Sequence, residues 1–100
     1  MIQAKEYVEK IMEKMQTDSE HEESLLEQLK KIDKLIAQNQ AKIWLRTRSG
    51  KPLAEKIETT AANVLKHLEK GNEINEILDE LESTAKTIDE ESQRRSMVVT

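Results

Sequence analysis

The sequence predicts an all-α protein, an antiparallel bundle of three to four helices, with a long helical hairpin that dimerises as the runner-up. Three observations carry this. From Val8, seam positions recur in alternating steps of three and four through Ile11, Met15, Asp18, Glu22, Leu25, Leu29, Ile32, Ile36 and Asn39 to Ile43. That is the 3.5-residue repeat of helices packed lengthwise on other helices. The 100 residues hold two Gly, one Pro, one Trp, one Tyr and no Phe, too few turn-formers and aromatics for a sandwich, a barrel or a doubly wound sheet. The glycines and the proline fall at Gly50, Pro52 and Gly71, where they cut the chain into helix-sized pieces.

Each element has its own justification. Ile2, Ala4, Val8, Ile11, Met12 and Met15 form one apolar stripe, a helix of about four turns. Thr17 with Glu20, and Ser19 with Glu22, both fit the capping box, so a new helix is expected to start there. The second helix, 19–46, carries Leu25, Leu26, Leu29, Ile32, Leu35, Ile36 and Ile43. Gly50 suits a left-handed cap and Pro52 the first position of the third helix, 52–70, with Leu53, Ile57, Ala61, Val64, Leu65 and Leu68. Gly71-Asn72 reads as a C-cap followed by an N-cap. The fourth helix, 73–91, carries Ile74, Ile77, Leu78, Leu81, Ala85 and Ile88, with Glu73 and Glu76 at its positive end.

Register argues for four helices over one long hairpin. A chain reversing near residue 49 sets Ile77, Leu78 and Leu81 opposite His21, Glu20 and Thr17, apolar against polar. Breaks at 17–19 and 71–72 remove that conflict. The expected organisation is one helical domain over 1–91 and a mobile tail over 92–100.

Charge and composition narrow the function. Charged residues make up 36% of the chain, and the net charge of −4 opposes general affinity for nucleic acid. Without cysteine there is neither a disulfide framework nor a thiolate metal site. Residues 1–17 hold no signal-peptide core, and no apolar run exceeds the length of Ile43-Trp44-Leu45, far short of a membrane span. A cytoplasmic location is the default expectation.

Catalysis has little to stand on. His21 and His67 are the two imidazoles, and His-Glu-Glu at 21–23 lacks the second histidine of a zinc-protease helix. A di-iron bundle needs two Glu-x-x-His pairs, and only Asp18-x-x-His21 comes close. Gly50 and Gly71 stand alone, so no phosphate-cradling loop exists. The carboxylates read as solvated helix faces paired i,i+4 with lysines, for example Glu6–Lys10 and Glu27–Lys31. No enzyme, metal, cofactor or small-molecule substrate is expected.

Three features point to a partner. Asn39 interrupts the seam between Ile36 and Ile43, where a buried amide fixes register. From Lys34 to Ala54 there are five basic residues (Lys34, Lys42, Arg46, Arg48, Lys51) and no acid, whereas Glu73 to Glu91 holds eight acids against Lys86. Ile43-Trp44-Leu45 sits in this basic elbow and covers about 200° of a helix, more than one face can bury. Trp44 with Arg46 and Arg48 makes the best contact candidate, joined by Val8, Ile11, Met12 and Met15 on a movable first helix.

The expected function is a non-catalytic protein–protein interaction module. It would be a small acidic helical adaptor, inhibitor, immunity-type or secretion-chaperone-type protein that binds by helix–helix packing. Its partner would be another protein, or itself as a homodimer. The alternatives are an anion-binding protein that meets nucleic acid or acidic membrane through 42–51, nucleic acid being disfavoured, and a self-assembling structural protein.

Overall fold

The computed structural model describes residues 2–17 and 23–98. The described residues form four helices, α1 (Ile2–Thr17), α2 (Glu23–Asn39), α3 (Lys51–Glu69) and α4 (Asn75–Val98), with a 3-10 turn at Ile43–Arg46 between α2 and α3. They form a rod measuring 48 × 21 × 19 Å. Helix α1 packs on α2 and α3, and α4 packs on the same two, so α2 and α3 occupy opposite corners. Neighbours in sequence run antiparallel, as the bridge from Lys5 to Asp33 shows for α1 and α2. By contrast α2 and α4 run parallel: Gln28 donates to Asp79 and Glu82, and Asn39, further along, donates to Asp89.

The seam residues fill the centre of this square. Ala4, Val8, Ile11 and Met15 of α1 meet Leu29, Ile32 and Ile36 of α2, Ile57, Ala61, Val64 and Leu68 of α3, and Leu78, Leu81, Ala85 and Ile88 of α4. The alternation therefore does what its spacing implies, with each helix turning one stripe inward. The shared heptad phase of α1 and α2 does not make them one rod; they lie side by side. Asp18, Glu22, the two capping boxes and His21 lie outside the described residues.

Three boundaries differ from the sequence reading. Helix α2 stops at Asn39 rather than 46, because the chain must cross from one corner of the bundle to the opposite one. A helix continued to 46 would run straight past the end of the core. Instead Lys42 turns extended (φ −68°, ψ 130°), and the 3-10 turn lays Leu45 into the core. The seam consequently ends at Asn39, and Ile43 is left outside.

Gly50 is not a left-handed cap. It sits at φ −93° before α3, and glycine is required there for space: an added Cβ would lie 2.1 Å from the Trp44 carbonyl oxygen. The left-handed role belongs to Gly71 (φ 76°), whose N–H donates to Leu68 O while that of Asn72 donates to His67 O. This paired closure is the Schellman motif. Asn72 does not cap α4, since the first carbonyl to accept within that helix is Ile74's, from Leu78.

Finally, α4 runs through Val98, past the expected end at 91 and into the segment expected to be a tail. Its periodic stripe does end at Ile88. What continues the helix is polar contact with the crossover, through Ser92 and Arg95.

Polar ties set the offset between α2 and α4. Asn39 is 2% exposed; its amide donates to Leu35 O (2.8 Å) and to Asp89 Oδ1 (2.9 Å). Lys31, expected to pair with Glu27, instead lies 3.9 Å from Glu82 across the interface. The hydrogen bond from Lys86, helped by that from Gln28, holds the Glu82 carboxyl below its ordinary value.

Leu29→Ala or Ile32→Ala should cost about 2–5 kcal/mol in urea denaturation, and Glu27→Ala about 0.5 kcal/mol or less. Equal small losses at all three would show the stripe is not packed. Because folding depresses the Glu82 pKa, its contribution is complete above about pH 4.5 and is lost as pH falls through the lower native value. Glu82→Gln should therefore lower stability most at neutral pH and progressively less as pH falls below about 4.5, which flattens the acid limb of the stability curve.

The capped end of the bundle as a candidate functional site

Burial sorts the candidate contact residues. Val8, Ile11 and Met15 are in the core and Met12 is half-buried against it, so the apolar face of α1 is already occupied by α2 and α3. Leu45 is buried too. A partner using these residues would have to open the bundle. What remains outside is Ile43, 78% exposed and the one large apolar side chain so exposed among the described residues. Lys42, Arg46, Arg48 and Lys51 are exposed around the same turn.

The turn is held from beneath by a clasp that sequence reasoning missed. The Trp44 indole N–H donates to Ser92 Oγ at 2.7 Å. The Arg95 guanidinium lies over the Trp44 ring, 4.8 Å from its centre, and its Nη2 donates to Ser49 Oγ at 2.9 Å. Glu91 accepts from Arg94, and its carboxylate lies 3.3 Å from Arg95 Nε. Arg94 first, and Arg95 with it, hold the Glu91 carboxyl below its ordinary value.

The cation on Trp44 is thus Arg95 of α4, rather than the elbow's own Arg46 or Arg48. A stacked guanidinium and a satisfied indole make Trp44 an anchor for the turn. The only sequence signal for this was a tryptophan with no seam of its own. Ser92 and Arg95 lay beyond the last periodic residue.

This geometry makes Ile43 protrude. With Leu45 turned inward and Trp44 turned onto α4, the 3-10 spacing sends Ile43 out into water. Thr47 steadies the far side, its hydroxyl donating to Trp44 O. No ion pair engages Lys42, Arg46, Arg48 or Lys51 among the described residues, whereas Lys5, Lys31, Lys86, Arg94 and Arg95 all lie beside carboxylates. The end therefore combines uncompensated positive charge with one bare apolar side chain.

Elsewhere the surface is less specific. An open groove of about 470 Å³ between α3 and α4 is bordered by Thr60, Asn63, His67, Ile77 and Glu80. Among the described residues no group of three or more His, Asp or Glu could hold a metal ion, and no helix is long and apolar enough to cross a membrane. No protein-family model, curated protein or solved structure matches this chain.

Ser92→Ala removes the acceptor for the indole N–H. It should cost about 0.5–1.5 kcal/mol and alter Trp44 emission in the folded state. A variant unchanged on both counts would show that the clasp does not form.

Proposed function

We propose that this chain is a non-catalytic interaction module: a self-closed helical bundle that docks a partner with its capped end. The observation that carries this reading is Ile43, held out in water on a turn among four cations without an ion pair among the described residues. A single exposed apolar side chain is ordinary by itself; what supports the reading is its place within a cluster of arginines and lysines, arginine being enriched at contact surfaces. The adaptor-like class and the cytoplasmic setting expected from the sequence are kept as part of this proposal. Its mechanism changes from a helical seam left open for a partner to docking by a preformed end, with Ile43, Arg46 and Arg48 retained as contacts and Lys42 and Lys51 added. Preorganisation by the Trp44 clasp limits the ordering cost of binding. Asn39, in this reading, keeps the α2–α4 register that presents the turn.

A photo-crosslinking residue at position 43 tests this in the source cell, with the same residue at exposed Glu76, at the opposite end of the rod, as control. Adducts, protein or lipid, should form from position 43, be lost with Arg46→Glu/Arg48→Glu, and not form from 76. No adduct at 43, or the same adducts at both positions, would refute the reading.

A further inference from the structure

We infer that the surface met by the capped end is an anionic lipid bilayer, touched end-on by Ile43 and its ring of cations. The inference rests on reading that end as the docking surface, and adds what docks there.

Footprint is the first argument. The Cα trace is 21 × 19 Å across, so with its side chains the end offers roughly 700 Å². A stable protein–protein contact buries about 800 Å² on each partner and wants a complementary shape. This end is a protruding turn, with an open depression of about 220 Å³ beside it bordered by Gln38, Asn39, Lys42, Asp89, Ser92 and Gln93. A bilayer needs neither area nor fit: it accepts a single apolar side chain at its interface and attracts every cation within reach.

Charge placement is the second. A net charge of −4 opposes approach to an anionic surface only where the acids lie close to it. The first half of the acid-rich α4 lies toward the opposite end of a 48 Å rod, whereas charge is screened over about 8 Å at physiological ionic strength. Of the nearer acids, Glu91 is paired with Arg94 and Arg95, while Asp89 accepts from the uncharged amides of Asn39 and Gln93, which offset none of its charge. Asp89, Glu90 and Glu55, the last one turn beyond Lys51 in α3, are outnumbered by Lys42, Arg46, Arg48 and Lys51, none of them engaged in an ion pair among the described residues. End-on, the approaching face is positive.

The magnitudes give reversible attachment. Each surface cation is worth about fivefold in partitioning and a buried isoleucine about tenfold. Four cations and Ile43 together reach the order of several thousand, the range of a single acyl anchor.

The full-length chain should co-sediment with phosphatidylserine-containing vesicles and not with pure phosphatidylcholine vesicles, with Trp44 emission shifting in step. Arg46→Gln/Arg48→Gln should weaken uptake about 25-fold and Ile43→Ser about tenfold, while Glu76→Gln/Glu80→Gln at the far end should change it less than twofold. Added salt should release the protein. Equal uptake by neutral vesicles, no uptake by either, insensitivity to the Arg46/Arg48 change, or tighter binding to a single-stranded oligonucleotide than to the vesicles would overturn the inference. Failure of vesicle binding while position 43 still forms a specific protein adduct in cells removes the lipid assignment and leaves the docking reading standing. Loss of both removes both.

Discussion

The diagonal placement of α2 and α3 is the constraint on which the rest of this molecule depends. Consecutive helices usually sit side by side and need only a short turn. Here the chain between Asn39 and Lys51 has to traverse the end of the bundle. Every unusual feature follows from that crossing. The backbone passes so close to itself that only glycine fits at Gly50. Leu45 seals the core, Trp44 takes hold of α4, and Ile43 is left with nowhere to go but outward. The helix that receives the clasp is lengthened to meet it.

The crossing also decides the electrostatics of the end. Helices α2 and α4 finish there, and their carbonyl ends favour positive charge, supplied by Lys42 after α2 and Arg95 in the last turn of α4. The cations of the elbow exceed that need. Arg94 and Arg95 are matched by Glu91, while the residues on the crossover itself are not matched by any carboxylate among the described residues. The same geometry that requires the loop to lie over the core concentrates its charge on one small face.

What could be read from sequence was what depends on local periodicity. Ile57, Ala61, Val64 and Leu68, or Leu78, Leu81, Ala85 and Ile88, mark the inner face of a helix because a 3.6-residue turn admits little else. Gly71 announced a helix end by the same local logic. The end of α2 was not legible. Lys42 and Ile43 are adequate helix residues, and tertiary position overrides that preference. Nor was the clasp, whose partners stand 48 residues apart and whose second half lies past the last apolar repeat. The basic, partly apolar character of the end was visible from composition alone. That Ile43 rather than Trp44 would be its exposed residue follows only from the crossover's path.

The parallel pairing of α2 with α4 bears on how the chain comes together. Two antiparallel hairpins, α1–α2 and α3–α4, close over short connections and can form early. The Asn39–Asp89 bond must wait for partners fifty residues apart, and the crossover has to be seated for them to meet. Bringing the two hairpins together is the step that closes the longest loop and so carries the largest chain-entropy cost. A chain caught before it has two half-cores bare to solvent, which makes the eleven residues between α2 and α3 the segment on which escape from aggregation turns.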